Sequence, residues 1–369
     1  MRQDRSLESI RTSAATKRRA RRTPWPALAA AALLLSACGG GATGSPPADS
    51  PAAGSPTAGG GASPTSGIAY PEGPITMIVP FAAGGPTDTV TRLVAKPMET
   101  ILGQTIVVQN VAGAGGTLAA GQVAEAPADG YTVLMHHIGM STAPSLYASL
   151  PYDPLVDFKT IGLVTEVPMT IIGRPDFEPT TLEELVAYVK ANADTVTYAN
   201  AGIGAASHLC GLLFMSAIDT KVTEVPYDGT GPAMEDLAGS QVDFMCDQTT
   251  NTTEQIKSGG VKAYAITSPE RNDALPDVPT TTEGGLPDVQ VRVWHGLYVP
   301  ADTPDEIVQA LSAALQAALT DQNVIDKFAD LGTVPVSADL ATPEGHTAKL
   351  QSEIELWKAV IEAAGVTPQ

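Results

Sequence analysis

The sequence predicts an α/β fold of two successive halves, each a mostly parallel sheet flanked by helices, with a ligand cleft between them. Three observations carry that expectation. About 300 of the 369 residues follow a stretch rich in Gly, Ala, Ser, Pro and Thr, enough for two domains with ordinary cores. Apolar runs of strand length alternate with helical segments, the pattern that lays helices on the faces of parallel sheets. Four glycine-rich turns stand where predicted strands end, the edge at which ligands collect in such sheets.

Residues 1–37 read as a delivery signal. Lys17, Arg18, Arg19, Arg21 and Arg22 form a basic zone, Ala27 to Leu35 an apolar zone, and Leu35-Ser36-Ala37-Cys38 fits a bacterial lipoprotein cleavage site. The apolar stretch is too short to span a bilayer as a stable helix. A plain secretory signal with an incidental cysteine is the alternative. Cleavage before Cys38 would leave that residue first and lipidated, and two acyl chains suffice for stable membrane attachment. Residues 38–69 follow as a flexible tether, because Gly, Ala, Ser, Pro and Thr cannot bury a core. A coil of that length averages roughly 30 Å end to end and stretches to about 90 Å.

Eight of the 21 Lys and Arg but only two of the 40 Asp and Glu precede Cys38, so the mature chain carries a formal charge of −25. Such a surface repels nucleic acid and anionic headgroups. An anionic ligand must therefore be attracted by local dipoles, since the global field opposes it.

The first predicted strand, Ile75 to Val79, runs into Pro80-Phe81-Ala82-Ala83-Gly84-Gly85-Pro86-Thr87-Asp88. Gly84 and Gly85 permit the turn, Pro86 suits a first helical position, and the helix N-terminus exposes N–H groups of partial positive charge, a cradle for a carboxylate or phosphate. A tight connection that binds nothing is the plainer reading. The predicted helix Thr87 to Leu102 leads to a strand at Thr105 to Gln109 and a second turn, Asn110-Val111-Ala112-Gly113-Ala114-Gly115-Gly116-Thr117. Leu118 breaks a dinucleotide fingerprint there, and no Walker lysine motif occurs. Further strands are predicted at Tyr131 to His136, Val167 to Ile172, Thr195 to Ala199, Val222 to Pro226, Val242 to Cys246, Val261 to Thr267 and Val293 to Val299. Helices are predicted at Leu182 to Asn192, Ser207 to Ile218, Asp305 to Leu319 and Thr347 to Ala364. The third turn, Asn200 to His208, carries Gly202, Gly204 and Ser207, the last either a ligand hydroxyl or an N-cap. The fourth, Val225 to Pro232, repeats the strand, turn and helix theme.

The catalytic inventory is thin. Of the five histidines, His136 and His137 are adjacent on a strand and should point to opposite faces, which rules out joint chelation. Ser207 and His208 are neighbours on a helix and do not face one another. There is no H-E-x-x-H and no G-x-S-x-G. An α/β hydrolase or nucleotide enzyme is the low alternative; neither cofactor nor metal is expected.

Taken together, Pro80-Phe81-x-x-Gly84-Gly85-x-x-Asp88, Gly113-Ala-Gly-Gly116, Pro127-Ala-Asp-Gly-Tyr131, Leu150-Pro-Tyr-Asp153, Ser207-His-Leu209, Val225-Pro-Tyr227 with Gly229, Gln241-Val-Asp243, Trp294-x-Gly296 and Pro300-Ala-Asp-Thr-Pro304 carry a resemblance. From about Tyr70 to Gln369 the chain resembles the extracytoplasmic solute receptors of tripartite tricarboxylate transporters, the Bug or TctC family. The resemblance implies a two-lobed periplasmic-binding-protein fold of type II, with lobe 1 at 70–170 and 293–369 and lobe 2 at 171–292. It implies a carboxylate held by main-chain N–H groups and water, with Phe81, Ala82, Ala83, Gly84, Gly85, Asp88, Gly115 and Gly116 on one side. Gly202, Gly204, Ala205, Ser207, Tyr227 and Asp247 would lie opposite. Ala205 departs from the family pattern, in which serine is frequent, and Asp247 would bind an amino group or protonated ligand, or else serve as a hinge residue. The partners so implied are a small carboxylate and large and small membrane permease subunits, with membrane contact through the lipid anchor only, no nucleic acid, and a monomeric receptor. A receptor feeding a signalling partner fits the same fold. Cys210 and Cys246, both in lobe 2, either pair as a disulfide or stand as small buried thiols.

Overall fold

The computed structural model of the chain describes residues 69–363 and 365–368. The leader, Cys38 and the tether through residue 68 lie outside the described residues. No described helix is long and apolar enough to cross a membrane.

The chain opens with β1 (Ile75–Val79), α1 (Pro86–Leu102), β2 (Ile106–Asn110), α2 (Thr117–Ala124), β3 (Thr132–His137) and α3 (Gly139–Leu146). Strand β1 lies between β2 and β3 and runs parallel to both. Its alternation feeds two cores, as period-2 geometry requires. Ile75 and Met77 pack with Val90, Val94 and Met98 of α1, while Ile78 joins Ala119, Ala120 and Val123 of α2 on the other face.

The second half contains β4 (Phe158–Gly173), α4 (Leu182–Ala191), β5 (Thr197–Asn200), α5 (Ala206–Ala217), β6 (Thr223–Pro226), α6 (Thr230–Ala238), β7 (Phe244–Gln248), α7 (Thr249–Lys257) and β8 (Lys262–Ile266). Here β5 is parallel to β6 and β7. The chain then returns to the first half through β9 (Arg292–Pro300), α8 (Asp305–Leu319), α9 (Gln322–Asp330) and α10 (Pro343–Ala363). Helix α8 sets Leu311, Leu315 and Ala318 against the same core as α1.

Strand β4 is the spine of the molecule. Residues Phe158 to Pro168 pair antiparallel with β9, whereas Met169 to Gly173 pair antiparallel with β7 and β8. The hand-over falls at Pro168, which lacks the N–H a continuous ladder needs and so marks the place where one set of partners ends. The strand starts nine residues before the position predicted for it, because Gly162 and interspersed Thr and Lys dilute the apolar signal. Tertiary packing explains Gly162: a Cβ there would lie 2.6 Å from the Ala341 carbonyl oxygen.

Helix α7 is another element the sequence hides, since Thr249-Thr250-Asn251-Thr252-Thr253 is poor helix material. Three of its hydroxyls are taken up by tertiary partners. Thr249 Oγ1 donates to the Gly332 carbonyl at 3.2 Å, Thr253 Oγ1 donates to that of Leu331 at 3.3 Å, and Thr252 Oγ1 accepts from Thr170 at 2.8 Å.

Cys210 of α5 and Cys246 of β7 are joined as a disulfide, with Cα atoms 6.0 Å apart. The bond ties a helix to the strand beneath it. Replacing both cysteines with alanine releases a loop closure across 36 residues and is expected to cost about 3–4 kcal/mol. Urea unfolding reads this as a lower midpoint; an unchanged midpoint would show that the bond adds no stability.

Candidate ligand site between the two halves

At the carboxyl end of β1 the chain turns through Pro80 to Gly85 and enters α1, with Gly84 in the left-handed region at φ +82°. A four-residue brace holds this loop. Asp88 accepts from the Gly84 amide at 3.0 Å, from Arg92 Nε at 3.0 Å and Nη2 at 2.9 Å, and from Asn110 Nδ2 at 3.1 Å. Asn110 Nδ2 also donates to the Phe81 carbonyl at 2.9 Å. Burial raises the Asp88 pKa, but bonds from Arg92, the Gly84 amide and Asn110 outweigh it and hold the carboxyl below its ordinary value. Asp88 is thus spent on the loop. The start of α1 meanwhile leaves the amides of Gly85, Thr87 and Asp88 without intrahelical acceptors, Pro86 having none to offer.

Three more helices begin at the same place. A cavity of about 20 Å³ is lined by Gly85, Pro86 and Thr87 from the start of α1, by Ala205, Ala206 and Ser207 from the start of α5, and by Thr230 from the start of α6. Asp247 and Gln248, which lead into α7, complete that side together with Phe81, His137 and Ala201. Four helix N-termini therefore point their partial positive charge at one small space. None of its lining residues is Lys or Arg. Phe81, Ala201 and Ala205 form a buried apolar patch on its wall. The volume holds about one water, so a larger solute enters only when the halves part. A cavity of about 610 Å³ lined by Met215, Lys221, Glu224 and residues 365–368 is larger, but shares no lining residue with this one.

The halves meet through backbone. The Ala82 amide donates to the Asp228 carbonyl at 2.9 Å, and Thr142 Oγ1 donates to that of Gly204 at 3.2 Å. The Tyr147 hydroxyl shares its proton between the carbonyls of Ala114 and Ile203, each at 2.7 Å. Glycines make this approach possible. A Cβ on Gly115 would fall on the Ile203 carbonyl, and one on Gly231 would lie 2.9 Å from that of Ala83. Among the described residues no ion pair crosses the cleft.

Of the residues singled out in the sequence, Phe81, Gly85, Ala205, Ser207 and Asp247 line the cavity. Ala82, Gly115, Gly202 and Gly204 instead make contacts between the halves. Ala83 and Gly84 face Gly231 across the cleft, and a Cβ on Gly116 would meet His136 at 2.8 Å. The Tyr227 hydroxyl turns away to donate to Asp236 at 2.8 Å. Ser207 is neither N-cap nor idle: Ala205 occupies the cap position, and Ser207 Oγ accepts from the Ala201 amide at 2.9 Å. Thr87, His137, Thr230 and Gln248 also line the cavity although none was expected as a ligand residue: Thr87 and Thr230 lie within marked turns, His137 follows a predicted strand and Gln248 follows Asp247. The expectation that His136 and His137 stay apart is corrected, because β3 ends at His137 and their ring centroids are 5.1 Å apart. No group of three metal-ligating side chains forms among the described residues.

This geometry, with helix starts from both halves around one cleft, has close relatives. The profile described as "Tripartite tricarboxylate transporter family receptor" matches residues 90–366. The chain belongs to that receptor family. A UPF0065 protein of Agrobacterium vitis is 55% identical over 297 residues, 80% of this chain and 86% of the relative. The structure of the periplasmic binding protein BugD is 51% identical with a TM-score of 0.80, covering 81% of this chain and all of BugD. MatC of Rhodopseudomonas palustris with bound malate is 42% identical with a TM-score of 0.77, over 79% of this chain and all of MatC. The receptor thus has the two-lobed type II fold of these proteins.

All five histidines of the receptor are buried. Burial lowers the pKa of His136 and His208 to about 4 and that of His295 and His346 to about 3; His137, burdened also by His136 and His295, falls well below its ordinary value. The unfolded chain therefore takes up protons below about pH 6.5 that the folded receptor refuses, so stability is complete above that pH and declines as pH falls toward the folded values. Burial raises Asp247 to about 6 and also raises Glu224, and these act in the opposite sense, two groups against five. Each histidine contributes up to about 1.4 kcal/mol per pH unit in its window. Thermal midpoints are expected to drop steadily from pH 7 to pH 5; a flat profile would contradict this accounting.

Proposed function

We propose that the receptor is an extracytoplasmic, lipid-anchored protein that captures a small carboxylate by lobe closure and delivers it to the membrane subunits of a tripartite tricarboxylate-type transporter. The observation that carries this reading is the convergence of four helix N-termini on one cavity without a lysine or arginine. In a chain whose mature charge is −25, fixed dipoles offer an anion attraction where the overall field offers repulsion. The malate bound to MatC is a carboxylate of the kind this arrangement suits. The leader and Cys38 support the anchor and a location on the bacterial cell surface or in the periplasm. Lobe 1 comprises 70–170 and 293–369 and lobe 2 comprises 171–292, so the hinge lies in the spine strand and in the segment returning to β9. Ligand stabilises the closed form, which the permease subunits read; the receptor performs no catalysis and acts as a monomer.

A thermal-shift screen of the refolded receptor against mono-, di- and tricarboxylates is expected to show stabilisation by one carboxylate class, about 2.7 kcal/mol at 100 times Kd. Stabilisation by nucleotides or phosphates alone would defeat the proposal. Closure has its own test at Gly115, whose left-handed φ of +61° suits asparagine. Gly115→Asn keeps the local backbone but sets a Cβ into the Ile203 carbonyl of the opposite lobe. Calorimetric affinity is expected to fall at least tenfold; parental affinity in this variant would argue against closure.

A further inference from the structure

Helix α5 serves two chambers. Ser207 faces the cleft cavity, while His208, the next residue, lines the separate cavity of about 610 Å³. That volume falls within the roughly 300–1,000 Å³ usual for small-molecule sites. Leu146, Ile203, Leu212, Met215, Val222 and Val366 give it apolar walls. His208 is 7% exposed, and its Nδ1 accepts from the Gly204 amide at 3.3 Å, so the ring carries its proton on Nε2. Burial lowers its pKa to about 4, which keeps the ring neutral near pH 7. Among the described residues Nε2 has no hydrogen-bond partner; Glu224 Oε2, also in the cavity wall, stands 3.8 Å away. Glu224 Oε2 accepts from Asn200 Nδ2 at 2.7 Å, which leaves the carboxylate with acceptor capacity to spare.

This donor and this acceptor are too far apart to bond each other. One oxygen about 2.8 Å from each bridges them, provided that it can both accept and donate. A hydroxyl meets that condition. An ammonium cannot accept from Nε2–H, and an anion would face Glu224 and Asp219 with only Lys221 as a cation in the wall. Water makes the same bridge but gains nothing from the apolar side chains around it. We propose that this cavity is a second binding site of the receptor, for a neutral, mostly apolar molecule ending in a hydroxyl, with His208 Nε2 donating to that oxygen and Glu224 accepting from it. The site does not depend on the carboxylate reading of the cleft.

The probes are 4-ethylphenol for an aromatic body and 1-hexanol for an aliphatic one, each beside its methyl ether, which accepts but cannot donate. They are titrated into the receptor while the His208 Cε1–H resonance, assigned by its loss in His208→Asn, is followed by NMR. At least one hydroxyl probe is expected to shift that resonance saturably, and its methyl ether to bind about tenfold more weakly, the scale of one lost hydrogen bond to a charged acceptor. Glu224→Gln keeps the shape and is expected to weaken the hydroxyl probe about fivefold while changing the ether little. Leu212→Trp fills the cavity and is expected to abolish the shift. Equal affinity of alcohol and ether, unchanged binding in Leu212→Trp, or no saturable shift with either probe would overturn the assignment. Should Glu224→Gln fail to fold, the ratio of alcohol to ether on the parent protein decides.

Discussion

Bringing four helix N-termini to one point, with no cation among them, is the constraint from which the architecture around the cleft follows. Helix starts carry unpaired amides, and these reach a common guest only if the turns that precede them come close together. Side chains would hold such turns apart. At Gly115 and Gly231 a single added carbon would meet backbone of the opposite half. Glycine at these places is therefore a requirement of closure, and the loops can touch through carbonyl and amide groups alone.

For the proposed capture those contacts have to be reversible, because a space for about one water admits nothing larger while the halves stay together. The bonds across the cleft suit that need. They are neutral, such as Ala82 to Asp228 and Tyr147 to Ala114 and Ile203, and no ion pair reinforces them among the described residues. Each neutral bond contributes on the order of 1 kcal/mol net. Rigidity is placed elsewhere: in the Asp88, Arg92 and Asn110 brace on one side, and in the disulfide between α5 and β7 on the other. Each half holds its helix starts firmly, and the joint between the halves is the soft element.

Strand β4 links the two. Eleven of its residues belong to the sheet that carries α1, and five to the sheet that carries α5, α6 and α7, with Pro168 at the exchange. The same strand that positions one half thereby positions the other. Asp247 sits on β7 directly beside it, paired in register with Thr170. The Asp247 carboxylate is thus built on the rigid frame and not on a loop.

The nine strands described were all legible as strand-length runs bounded by turn residues; burial on both faces leaves a local composition signal in β1, β7 and β9, and β2 and β6, more exposed, were marked by the glycine turns that follow them. The glycine turns were legible for the same reason, since backbone freedom at Gly84 or Gly115 is a property of the residue itself. What stayed hidden depended on distant partners. The full length of β4 was masked by Gly162, whose reason is the Ala341 carbonyl, and α7 by threonines whose hydroxyls are satisfied at Gly332, Leu331 and Thr170. At the site, sequence alone marked the loops but could not separate Phe81, Gly85, Ala205, Ser207 and Asp247, which face the cavity, from Gly115, Gly202 and Gly204, which face another backbone. The chain determines that its strands end in glycine turns that open helices. Only the packing of the two halves decides which turns meet, because lining and closure are relations between residues far apart in the chain.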